Sequence, residues 1–161
     1  MKTAMTLTVM VMLITLSIGA WAARFIRDTT VTNNPVVTDS ATGLLWQGCA
    51  GGLSGDACAT GTATMYTWKN ALAYCESLNW GGYTDWRLPN KKELLSIVDD
   101  SRYNPARDMT AFPATPSSDF WSSSSNASSE NSAWYVDFDY GSVYYYSKTD
   151  TYHARCVRGG L

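Results

Sequence analysis

Apolar and polar positions change their pattern several times along this chain. Residues 5–19 are apolar almost without a break, with Lys2 before them and Ala20-Trp21-Ala22 after them. That order reads as the charged start, apolar middle and small-residue cleavage site of a secretory signal. The apolar stretch is shorter than the ~20 residues a membrane anchor needs, so the reading is a cleaved leader and not an anchor. Beyond it, Val36-Val37-Thr38 and Leu44-Leu45-Trp46 flank Asp39-Ser40-Ala41-Thr42-Gly43, which predicts a hairpin closed by a Gly-ended turn. Over residues 68–78, Trp68, Ala71, Leu72, Cys75 and Leu78 recur at helical spacing behind Thr67, a good N-cap. Asn90 and Glu93 then suit a capping box ahead of a second helix, with Leu94, Leu95, Ile97 and Val98 as its buried face.

Residues 99–118 hold Pro105, Pro113 and Pro116 and no sustained period, so they read as an ordered loop. The last third alternates at period two. Phe120-Trp121-Ser122 opens it, and Trp134, Val136 and Phe138 alternate with Tyr135, Asp137 and Asp139. Tyr140-Gly141 makes a turn, residues 142–147 return as a partner strand, and residues 154–158 close the chain with Cys156 facing inward. Strands before and after two central helices give an α+β class, two helices flanking small antiparallel sheets.

Composition adds a compartment and removes some partners. A leader at residues 1–22 leaves residues 23–161 as one domain. Without Lys2, 12 − 1 = 11 basic residues face 14 acidic ones, a net charge of −3. That balance offers no footprint for nucleic acid or an anionic membrane, and no membrane insertion is expected after cleavage. Tyr (10) and Trp (7) outnumber Phe (4), a bias toward rings that tolerate a half-wet surface. The cysteines, Cys49, Cys58, Cys75 and Cys156, all follow the leader, and an even count in an oxidising compartment favours two disulfides. Three pairings exist. A Gly-rich loop between Cys49 and Cys58 suits a local bridge, and a Cys75–Cys156 bridge would then staple the first helix to the last strand. A zinc site is the weaker alternative, since the spacing is not CxxC-like and the chain has a single His.

Several segments taken in order resemble the Lcl C-terminal domain-like family. They are Val37-Thr38-Asp39-Ser40-Ala41-Thr42-Gly43-Leu44-Leu45-Trp46, Ala73-Tyr74-Cys75, Asp85-Trp86-Arg87-Leu88-Pro89 with Glu93-Leu94, Trp121-Ser122-Ser123-Ser124, and Arg155-Cys156-Val157-Arg158. The resemblance implies a C-type-lectin-like fold, related to the sulfatase-modifying-factor architecture. In that fold the N- and C-terminal strands pair, two helices flank them, and a second small sheet displays the ligand surface. It also implies the Cys75–Cys156 bridge and a secreted, periplasmic or cell-surface protein, some relatives being glycan binders or adhesins. The Glu-Pro-Asn, Gln-Pro-Asp and Trp-Asn-Asp motifs of calcium-dependent lectins are missing from the sequence, as is a recognisable catalytic cysteine pair. The expectation is therefore binding without a cofactor or metal.

Residues 119–153 carry the candidate site. No Lys or Arg occurs there before Lys148, and Ser, Tyr, Asp and Asn crowd the segment. On the strand reading Tyr135, Asp137, Asp139, Tyr140, Ser142, Tyr144 and Tyr146 share an outward face, and His153 joins them as a candidate ligand contact. Rigid Tyr rings with adaptable Ser, Asp and Asn hydrogen bonds suit recognition of a glycan or a surface protein. A subunit interface of an envelope assembly is the alternative, which leaves oligomerisation open. Many of these positions hold Asn, Tyr, Asp, Ser, Thr or His, residues one first- or second-base change from an Asn codon. Related lectin-fold proteins include targets of retroelements that diversify such codons, so the segment reads as a candidate variable repeat. Catalysis has less support: Asp137 and Asp139 share a face without a pocket signal, and residues 122–125 read as a turn or strand edge and not as a nucleophile. Asn126-Ala127-Ser128 matches a glycosylation sequon.

Overall fold

The computed structural model describes residues 23–159. The expected leader, residues 1–22, lies outside the described residues. Strands β1 (Phe25–Asp28), β2 (Val36–Asp39), β3 (Leu45–Gln47), β4 (Leu53–Ser54), β5 (Thr60–Gly61) and β6 (Met65–Tyr66) precede helices α1 (Trp68–Glu76) and α2 (Lys91–Ser96). Strands β7 (Asp119–Asn126), β8 (Ser129–Asp137), β9 (Val143–Ser147), β10 (Tyr152–His153) and β11 (Val157–Arg158) follow. The fold is mixed, with two helices, a predominance of strand, and three small sheets ordered β1-β2-β3-β11, β6-β10-β7-β8-β9 and β4-β5.

The expected hairpin forms, with Val37 opposite Trp46. Asp39 closes it: its carboxylate takes two hydrogen bonds from Arg24, at 3.0 and 2.8 Å, and a third from the Ala41 amide. The terminal strands share one sheet but do not pair with each other, because β1 and β11 occupy its opposite edges and β11 lies against β3. One pair departs from the all-antiparallel expectation. β10 runs parallel to β7, because the chain reaches it through the turns after β9 and not by a hairpin.

Both helix starts follow the sequence. Thr67 accepts from the Asn70 amide, and Asn90 and Glu93 exchange side chain-to-backbone bonds in a complete capping box. The buried face of α2 is narrower than its apolar residues suggest. Leu94 and Ile97 are buried, whereas Leu95 is exposed because helical spacing turns it away from β8. Trp46, Trp86 and Trp121 are buried. Trp68 and Trp134 are half-buried and lie under the ammonium groups of Lys148 and Lys91, at 4.4 and 3.7 Å from the ring centres.

Two disulfides, Cys49–Cys58 and Cys75–Cys156, match the ranked pairing. The second ties α1 to the segment entering β11. Beside it Gln47 donates to the Tyr74 hydroxyl (2.7 Å) and accepts from the Cys156 amide (3.1 Å), so a buried amide joins the same two segments. Disulfides of this kind suit an oxidising compartment. Among the described residues no helix is long and apolar enough to cross a membrane.

Candidate functional site

The site is built on one face of the β6-β10-β7-β8-β9 sheet. Cross-strand register sets Asp119 opposite Asp137 and Trp121 opposite Tyr135. It also sets Tyr135 opposite Tyr144 and Ala133 opposite Tyr146. Alternation therefore brings Asp119, Trp121, Tyr135, Asp137, Tyr144 and Tyr146 to one side. Tyr152 of β10 joins them from the far flank, 4.6 Å from the Trp121 ring and 4.7 Å from the Tyr135 ring, and Tyr144 lies 5.9 Å from Tyr135. Trp121 is the floor: it is fully buried, and its indole N–H donates to the Tyr66 carbonyl at 2.9 Å. Tyr135 and Tyr152 are half-buried, and Tyr144 and Tyr146 are more than half exposed, at 53% and 57%. The result is a graded aromatic surface, fixed at its base and wet at its rim.

The electrostatics of this face are one-sided. Burial, and then the neighbouring Asp137 charge, push the Asp119 carboxyl up to about 6. Burial also raises the Tyr152 and Tyr135 hydroxyls, with Asp119 adding to both. Like charges directly opposite on a strand pair are unfavourable, yet among the described residues no Lys or Arg pairs with Asp119 or Asp137. Lys148, the cation nearest in sequence, is engaged elsewhere, donating to the Glu130 carbonyl at 2.6 Å beside the Trp68 ring.

The expected residues divide. Tyr135, Asp137, Tyr144 and Tyr146 come together on this face. Asp139, Tyr140 and Ser142 do not, because the strand ends at Asp137 and these residues form the turn into β9. The Asp139 amide folds back onto the Asp137 carboxylate (2.7 Å), and Gly141 takes a positive φ of 76°. Tyr140 points into solvent, 70% exposed. His153 lies on the opposite side: it is buried against Phe120 at 5.3 Å, and Nδ1 sits 3.2 Å from the Thr64 carbonyl oxygen. Burial lowers its affinity for a proton, and its packing against Phe120 places the ring in the core and away from the aromatic face.

Asp119 and Tyr152 were missed by sequence reasoning. Asp119 was legible in principle, since it precedes Trp121 by one strand period. Tyr152 was not, because a two-residue strand leaves no periodic trace. The serine run is structural. Ser122 donates to the Trp134 carbonyl (2.7 Å) and its own carbonyl accepts from the Trp68 indole (2.8 Å), while Ser124 accepts from the Lys91 amide (3.0 Å). Asn126 is buried and its side chain accepts from the Ser128 amide, so the sequon lacks an accessible acceptor in the folded chain. Among the described residues no group of three His, Cys, Asp or Glu side chains is placed to hold a metal ion.

Apart from Trp121, the floor of this face, the segments of the family pattern serve the frame. Arg87 forks onto Glu93 with two bonds of 2.7 Å, and Arg158 forks onto Asp85 at 2.6 and 2.9 Å. Arg155 is fully buried and donates to the Gln47 carbonyl at 2.6 Å and to the Thr115 hydroxyl. A frame of mixed α and β elements closed by these arginines and two disulfides, with an aromatic sheet face beside it, defines a small cross-linked domain. Residues 35–158 match the model of the Lcl C-terminal domain, and the chain belongs to that family. No curated protein matches the chain.

Proposed function

We propose that this chain is an exported, C-type-lectin-like binding module that recognises a glycan or a surface protein through its aromatic sheet face, without catalysis. The observation that carries the reading is the cluster of tilted Tyr144, Tyr135 and Tyr152 rings around Trp121, beside the Asp119–Asp137 pair. Clustered, partly wet rings supply rigid contact area at low entropic cost, as in sugar-ring or side-chain recognition. The unneutralised carboxylates select against polyanions and favour ligands that present hydroxyls or cationic groups. Export rests on the leader pattern of residues 1–22 together with the two disulfides.

The division between buried scaffold and exposed Tyr also suits a diversified repeat. Trp121, Val136 and Phe138 are buried, while Tyr140, Tyr144, Tyr145 and Tyr146 are exposed. Sequencing the flanking DNA tests this part, which needs a near-identical template copy and a reverse transcriptase gene nearby. Binding itself is tested by probing an array of neutral, cationic and sulfated glycans and surface proteins with the purified, oxidised protein. Selective retention on neutral or cationic members supports the reading, and retention confined to sulfated members contradicts it.

A further inference from the structure

The edges of the sheets differ in how they are guarded. β1 carries Arg27 and Asp28, and β6 and β11 are two residues long. β9 is five residues of Val-Tyr-Tyr-Tyr-Ser at the edge of the largest sheet, with neither charge nor proline. Charges, prolines and short length are the usual devices that keep a sheet edge from pairing with another chain. The lysine after the strand does not guard it, because its ammonium is turned to Glu130 and Trp68.

The hydrogen-bond register shows which groups face outward. Asp137 N–H donates to the Ser142 carbonyl and Lys148 N–H to the Asn131 carbonyl, both at 2.8 Å. With Tyr135 opposite Tyr144 and Ala133 opposite Tyr146, residues 142, 144, 146 and 148 turn their backbone groups toward β8. Val143, Tyr145 and Ser147 turn theirs away. The Ser147 carbonyl accepts from the Asp150 amide, while Val143 and Tyr145 have no outward backbone partner among the described residues.

We propose that β9 is where a second copy of this chain docks, the two strands pairing antiparallel about a two-fold axis at Tyr145 to join the sheets edge to edge. The strand is self-complementary in that register. Tyr145 exchanges two bonds with its symmetry mate, and the Ser147 N–H, whose own carbonyl is taken by Asp150, donates to the Val143 carbonyl of the other copy. Tyr144 meets Tyr146 of the other copy at a non-hydrogen-bonded position, where side chains approach most closely. The joined sheets would place both aromatic faces side by side, giving two ligand sites in one closed, symmetric dimer. This inference does not depend on the identity, or the existence, of a ligand.

Sedimentation velocity on the full chain, purified with both disulfides formed, tests it with the variants Tyr145→Lys and Tyr145→Glu. Tyr145 points away from the aromatic face, so neither variant touches the proposed ligand contacts, and circular dichroism checks that each keeps the fold. The wild type should show a concentration-dependent monomer–dimer equilibrium. Each variant alone places like charges across the axis and should dimerise roughly tenfold or more weakly. An equimolar mixture of the two should recover dimer, as a heterodimer. A wild type that stays monomeric, variants that dimerise unchanged, or a mixture that fails to recover would each overturn the proposal.

Discussion

Replacing Asp119 by Asn removes one charge from the carboxylate pair on the aromatic face and leaves the side-chain shape nearly unchanged. The folded protein holds the Asp119 proton more tightly than an unfolded chain does, with the carboxyl moved from 3.8 to about 6. The stability contribution of such a group is fully present below the unfolded value and is lost as pH rises through the folded one. At full weight that interval amounts to about 3 kcal/mol of destabilisation at neutral pH. Asp119 is half-exposed, and solvent screening reduces the figure to about 1–2 kcal/mol. Asp119→Asn should therefore match the wild type at acid pH, below the unfolded value, and exceed it by about 1–2 kcal/mol above pH ~7. Urea unfolding followed by tryptophan fluorescence, repeated across that range, measures the difference directly. A difference that does not change with pH would refute the electrostatic argument. So would a variant weaker than the wild type at neutral pH, which would mean that the carboxylate makes favourable contacts when charged. A charge pair that costs stability is consistent with the binding role proposed for this face.

Other expectations follow from the frame. Opening Cys75–Cys156, which spans 81 residues, should cost about 4–5 kcal/mol, against about 2–3 for Cys49–Cys58, which spans 9; paired Cys→Ser variants in denaturant unfolding measure both. Asn90→Ala removes the cap from α2 and should cost about 1 kcal/mol, with the aromatic face left intact. Gly52→Ala should destabilise by more than about 1 kcal/mol, because Gly52 sits at φ 88° and a Cβ there would lie 2.3 Å from the Thr62 carbonyl oxygen; thermal unfolding detects it.

What the sequence revealed depended on whether a signal was local. The capping box at Asn90 and Glu93, the helical stripe through Ala71 and Cys75, and the β8–β9 hairpin turning at Gly141 each follow from a few adjacent residues, and each is present. The Cys75–Cys156 bridge was reachable because two locally predicted elements had to carry the remaining cysteines. What stayed hidden was decided by distant contacts. His153 looked like a polar residue on a polar segment, but its strand pairs parallel with β7 and turns the ring onto Phe120. Period two extrapolated through residue 142 placed Asp139, Tyr140 and Ser142 on the face, whereas the strand ends at Asp137 and a turn redirects them. Leu95 is expected on the buried face of α2 with Leu94, Ile97 and Val98, whereas only Leu94 and Ile97 are buried and Leu95 faces solvent.

The most direct test of the account is binding by a variant that changes the rim of the aromatic face and nothing beneath it. Tyr144 and Tyr146 are more than half exposed, so a Tyr144→Ser, Tyr146→Ser variant should keep both disulfides and the fold. Its affinity should be compared with that of the wild type for the ligand the array selects. The account predicts that binding falls at least roughly tenfold, the loss of one or two stacked aromatic contacts. Unchanged affinity in a folded variant would contradict it and place recognition elsewhere on the domain.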